Sequence, residues 1–142
     1  MEVRVAVLAD AANIAPPEKL NILGAFDTIA SSRFPCVHPV MALVLRLKLD
    51  HEDGNRTHVM KVTLRDDDGR VVLEADARLQ VGPVPAGEFG HMNQILNFAG
   101  VQFAKPGHYA FELSWNGHSK ARVDLKVLQA PGQTPAQEPP LA

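Results

Sequence analysis

Six histidines, one cysteine and an acidic triplet are the residues of this chain whose chemistry could reach beyond packing. The histidines stand at His38, His51, His58, His91, His108 and His118. Zinc takes three or four converging ligands, ordinarily announced by close pairs such as H-x-x-x-H or by paired cysteines. The one short pair here is Cys36-x-His38, next to a proline. His51 and His58 flank a turn and could face each other across a hairpin, with Asp53 or Glu52 as a third ligand. The spacing of a metal site is otherwise missing, so these read as surface or turn histidines and no metal ligand is assigned. Asp66-Asp67-Asp68-Gly69 offers carboxylates to calcium but lacks the further ligands of an EF-hand loop. Between two alternating runs it reads as a hairpin turn.

Nucleophilic and acid–base chemistry find no better footing. No G-x-S-x-G is present, and Cys36 reads as a structural thiol. Glu74, Asp76, Glu112 and Asp124 all fall on the solvent side of their strands, and no glycine-rich loop opens a helix that could cradle phosphate. No catalytic residue and no cofactor is assigned, and the expectation is a protein that is not an enzyme. One stretch invites a binding role. Gly82 to Asn93 (GPVPAGEFGHMN) is the longest glycine- and proline-rich loop of the domain, and Phe89, His91 and Met92 within it form a candidate contact surface. The alternative is that they tuck back over the end of the core.

The elements that must position these residues are strands. From Val101 to Leu128 the chain reads as a hairpin, with Tyr109, Phe111, Leu113 and Trp115 facing one way and His108, Ala110, Glu112 and Ser114 the other. Asn116-Gly117 supplies the residues that tolerate positive φ at a tight turn. Val123, Leu125 and Val127 face inward on the return. Tyr109, just after Pro106-Gly107, reads as a tyrosine corner whose hydroxyl anchors the loop before it. Val3, Val5 and Val7 mark a first strand. Asp10 to Lys19 reads as a loop because of Pro16-Pro17. Leu20 to Ile29 reads as a single strand, in which Gly24 signals a bulge or a close backbone approach. Met41 to Leu49 carries Leu43, Leu45, Leu47 and Leu49 on one face and Ala42 and Val44 on the other. It is therefore expected to be central and covered at its start by a loop or a partner, which makes Ala42 and Val44 part of the case for an interaction surface. Thr57–Arg65 and Leu73–Val81 alternate cleanly. Leu96 and Phe98 differ in parity from Val101 and Phe103, which predicts a one-residue bulge near Ala99-Gly100. About eight strands without helical periodicity make an all-β fold, an antiparallel β-sandwich over residues 1–129, followed by a proline-rich disordered tail over 130–142.

At 142 residues the chain is one domain by prior. Its composition, 46% hydrophobic and 21% charged, is that of a globular protein. The formal net charge of −2 comes without a basic stripe, so nucleic acid is not an expected partner. No run approaches the length of a membrane span, and Arg4 interrupts the apolar start, so neither membrane nor secretion is expected. A lone cysteine suits a reducing compartment, and a cytoplasmic location is the expectation.

Three segments in order, VLADAAN, then KLNILGAFDTI with FPCVHPVMALVLRL, then FAKPGHYAFELSWNG, resemble a family of small bacterial proteins of unknown function. The resemblance runs from about Val5 to Val127. It implies a bacterial origin and one sandwich-like domain, and it carries over no ligand and no catalytic residue. The leading functional expectation is a protein-interaction or self-association module, with a homodimer through a sheet edge as one form. A small-ligand (sugar or lipid) domain is the alternative, its pocket built from Asp10–Lys19, Ser31–Pro39 and Gly82–Asn93. A metal-dependent enzyme using His51 and His58 comes last.

Overall fold

A computed structural model describes residues 1–131. The proline-rich tail expected over 130–142 therefore lies, from residue 132 on, outside the described residues. Among the described residues, nine strands form two sheets. They are β1 (Glu2–Ala15), β2 (Lys19–Phe26), β3 (Thr28–Ser31), β4 (Cys36–Leu49), β5 (Arg56–Arg65), β6 (Val71–Val81), β7 (Gly90–Phe103), β8 (Gly107–Trp115) and β9 (His118–Gln129). The first sheet runs β2-β1-β4-β7 and the second β3-β9-β8-β5-β6. A single 3-10 turn, His51–Asp53, joins β4 to β5. The expected antiparallel sandwich is the fold, with one departure, because β3 lies parallel to β9.

The core forms where the predicted parities meet. Leu43, Leu45 and Leu47 of β4 face Met60, Val62 and Leu64 of β5, Phe111 and Leu113 of β8, and Leu125 and Val127 of β9. All are essentially sealed from solvent. Each such side chain contributes about 1.5–3 kcal/mol by leaving water. Tyr109 donates its hydroxyl to the Lys105 carbonyl at 2.6 Å, closing the expected corner, and its ring meets Phe103 edge-on. Burial, only partly offset by that bond, raises the phenol above its ordinary pKa. Asn116 and Gly117 both take positive φ, 51° and 82°, at the β8–β9 turn.

Five boundaries depart from the sequence reading, one of them the loop read over Gly82–Asn93, which ends at Phe89 because β7 begins at Gly90. Asp10–Ala15 is strand, not loop, and from Ala11 on it pairs with Lys19–Leu23 so that only residues 16–18 turn. The two prolines demand a turn where they sit, but place no constraint on the short alanines before them, which simply continue the ladder. The single strand read over Leu20–Ile29 is two. The chain leaves the first sheet at Phe26, the Asp27 carbonyl accepts from Lys126 N at 2.8 Å, and Thr28–Ser31 joins the second sheet. That split makes nine strands where about eight were expected. Ser31–Pro39, read as a connection, ends at Cys36, where β4 begins. Finally, β7 does change phase at Gly100, where φ is +65°, but the register does not slip as a one-residue bulge requires. His38 pairs with Val101 and Val40 with Ala99, so Pro39 on β4 and Gly100 on β7 are irregular together and both strands re-aim at one step.

A similar step at Asp10 and Gly24 produces the most unusual feature. Gly24 has φ +69°, a conformation that favours glycine, and a Cβ there would crowd the Asp10 carboxylate. Beyond this step the β1–β2 hairpin folds over the outer face of its own sheet. Its tip crosses β4 to reach β7, where the Glu18 carbonyl accepts from Arg46 Nη1 and Asn93 Nδ2, each at 3.2 Å. Ala12 and Leu20 thereby cover Ala9, Ala42 and Val44, all sealed from solvent on a face that would otherwise be wet. The two-sided apolar start of β4 has its cover in this arm.

Candidate functional site

Three polar constellations and one strand edge compete for the role of a site. The β4–β5 connection is the most tightly bonded. Asp50 caps the 3-10 turn through its carboxylate, which accepts from the amides of Glu52 and Asp53. Asp53, 8% exposed, accepts in return from Asp50 N at 2.9 Å and pairs with the Met1 amino group at 3.1 Å. Burial would raise its carboxyl, but the Asp50 amide and the Met1 ammonium outweigh that, so its pKa lies below the ordinary aspartate value. His58, 3% exposed, stacks on Trp115 with ring centroids 4.6 Å apart. Its Nε2 donates to the Asp53 carbonyl at 2.8 Å, and its Nδ1 accepts from Asn116 Nδ2 at 2.9 Å. Those partners fix the tautomer, because a carbonyl only accepts. Asn116 Oδ1 accepts from Val59 N, which fixes the amide's orientation as well.

The metal reading of His51, His58, Asp53 and Glu52 fails on this geometry. His51 turns to the Val84 carbonyl at 2.6 Å, and both nitrogens of His58 are engaged elsewhere. Among the described residues no three histidine, cysteine or acidic side chains converge as metal ligands. The acidic turn is likewise spent on structure. Asp66 accepts from the amides of Asp68 and Arg70, Asp67 from His108 N, and Asp68 pairs with Lys105. Cys36 is half-buried at the margin of the core, and His38 rests on Phe26.

The candidate contact loop divides. Phe89 is 58% exposed and lies under the Lys48 ammonium, 4.8 Å from its ring centroid. His91, already in β7, meets Phe89 edge-on at 5.3 Å. Burial, then the charges of Arg46, Arg4 and Lys48, hold its imidazole below the ordinary histidine pKa. Met92 alternates to the other face, where it packs against the core opposite Leu47. Phe89 and His91 thus form a surface corner, and Met92 follows the tucked-in alternative. The three loops offered as one ligand pocket do not assemble. Cys36 pairs with Phe103 and Leu49 with Gly90, which puts Ser31–Pro39 and Gly82–Phe89 at opposite ends of β4. Asp10–Lys19 lies on the outer face of the sheet instead. The cavities present are open grooves, such as one of about 480 Å³ between β1–β2 and β9 and one of about 440 Å³ beside β7.

The Phe89–His91 corner leads directly into β7, a strand read from the sequence for its phase change but not for its edge. β7 is the last strand of its sheet, so one of its edges is unpaired. An open edge invites another strand, and proteins ordinarily guard it with charge, proline, brevity or cover. Of the other three edges, β3 has four residues, β6 carries Glu74, Asp76 and Arg78, and β2, uncharged after Lys19, is little more than half as long at eight residues. β7 runs for 14 residues, GHMNQILNFAGVQF, with no lysine, arginine, aspartate, glutamate or proline. The signal was in the sequence as an uncharged run between charged ones. Its meaning needed the strand order.

The architecture defines a two-sheet β-sandwich protein. The chain belongs to a family of unknown function (DUF6941), whose model matches residues 4–128. No curated protein matches it. Among solved structures, it is similar to Pseudomonas fluorescens alkylpurine DNA glycosylase AlkC bound to DNA containing an abasic site analog. The identity is 11% and the TM-score 0.49, over 89% of this chain and 30% of that one. The chain thus spans under a third of that protein's length, and the likeness carries no reading of activity. Among the described residues, no helix is long and apolar enough to cross a membrane.

Proposed function

We propose that this chain is a non-catalytic β-sandwich module that works by accepting a partner's strand at the open edge of β7. The unguarded 14-residue edge carries the reading. Main-chain hydrogen bonds supply affinity in such an addition, and the alternating side chains supply selectivity. The side chains that bear chemistry elsewhere in the chain support the non-catalytic part, since Asp53, His58, His51 and the acidic turn are committed to structural bonds. The half-buried single thiol suits a reducing bacterial cytoplasm, and the resemblance to small bacterial proteins points the same way.

A synthetic peptide of residues 90–99 tests the edge, because it carries the same uncharged pattern. Hydrogen exchange should slow at β7 amides in its presence and stay unchanged in β6. An Asn97→Lys protein should lose that protection. A β7 whose exchange the peptide leaves untouched would sink the reading.

A further inference from the structure

We infer that the strand β7 accepts is β7 of a second copy, paired antiparallel about a twofold axis through Ile95. The inference rests on the edge reading above and names its partner. Most soluble assemblies of identical chains are twofold dimers, in which one patch meets itself. An edge strand does this most readily where like side chains come opposite one another and no like charges do when the strand is reversed. The available segment is set by the ladder, which runs unbroken from Gly90 to Ala99 against Leu49 to Val40 and re-aims at Gly100. Antiparallel partners share a face, so residues of one parity must pair among themselves. Two registers keep both faces and lie equally near the middle of that segment, Gln94 opposite Gln94 and Ile95 opposite Ile95. The second is chosen because it sets Ile95 against itself, Asn93 against Asn97 and Met92 against Phe98.

The neighbouring pairs follow. Asn93 stands opposite Asn97, and His91 opposite Ala99, on the outer face. Met92 stands opposite Phe98 on the core face. Ile95 meets itself and Met92 meets Phe98, Asn97 comes beside an Asn93 already held by Arg46 and the Glu18 carbonyl, and Gln94–Leu96 and His91–Ala99 are the unlike pairs. No formal charge of the strand faces another, because the strand has none. Leu96 and Phe98, only half-buried in the single chain, would gain cover. The same operation on β6 would draw in Glu74, Asp76 and Arg78, so the other long edge on this side of the sandwich is unsuited to it. Joining β7 to β7 yields one continuous eight-stranded sheet with an arm folded over each half.

Cross-linking of the full chain in a Cys36→Ser background reads the register directly. Ile95→Cys should oxidise to a disulfide-linked dimer, since directly opposed Cβ atoms lie about 4.5–5.5 Å apart. Ala99→Cys should not link to itself, because its two copies would sit eight residues out of step, about 27 Å. Mixed with His91→Cys it should form the heterodimer, which also covers the case in which Ile95→Cys does not fold. Light scattering should give twice the chain mass for the unmodified protein, and a single chain mass for Asn97→Lys. A strict monomer at high concentration overturns the inference, and the peptide experiment then decides whether the edge reading survives. A dimer that links through Ala99→Cys alone, or that Asn97→Lys leaves intact, overturns it equally.

Discussion

The β4–β5 end and the β7 edge are opposite solutions to the same problem, the placement of polar groups at the margin of a sheet. At the first, Asp50, Asp53, His58 and Asn116 bond one another and the main chain, and no buried side-chain polar atom among the described residues lacks a partner. At the second, a long main-chain edge has been left open by a strand with no charged residue of its own. The difference separates stability from association. A closed network resists change and has no bond to offer, whereas an open edge costs the folded chain little while solvated and holds its bonding capacity for another strand.

The sharpest way to break this contrast is to open the closed end. Asp53→Ala removes the acceptor for Asp50 N and the partner of the Met1 ammonium. It should cost about 3 kcal/mol, as loss of one partner from a buried pair does, read as a lower urea midpoint. Next comes Asn116→Ala, expected to cost about 2 kcal/mol. It leaves Val59 N and His58 Nδ1 unpaired and puts a Cβ at positive φ without asparagine's tolerance for it. Asn116→Gly, which keeps the turn but not the bonds, should lose about half as much. Acid should then act through Asp53. Its carboxyl is held below its unfolded value, so it contributes stability above pH about 4 that is lost as pH falls through the folded pKa. Urea midpoints at pH 6 and pH 3 should therefore differ less in Asp53→Asn than in the natural chain. The smallest effect on folding belongs to the open edge: exposed Asn97→Lys should change stability by less than about 0.5 kcal/mol while abolishing strand addition. A large stability loss there would erase the contrast.

The site was legible only in pieces. Phe89 and His91 could be singled out because aromatic and imidazole groups among glycines and prolines are conspicuous, and they do form a corner. Met92 could not be separated from them, since two-residue alternation only assigns a face once the strand start at Gly90 is known. His51 and His58 drew a metal reading from proximity in sequence, but a hydrogen-bond partner such as the Val84 carbonyl, 33 residues away, leaves no local mark.

By itself the sequence determined that this is a sandwich of alternating strands, that Tyr109 closes a corner, that Asn116-Gly117 turns a hairpin and that the strand is irregular at Gly24. Each of those is a local matter, settled by side-chain period, by φ, or by the lack of a Cβ. Only the tertiary structure decided that Asp10–Ala15 folds back over β4, that Thr28 crosses to the second sheet, and that β7 rather than β6 is the edge left open. Those depend on which strands become neighbours, and neighbours are chosen by burial of the whole core at once. A strand carries the same alternation at the centre of a sheet as at its rim.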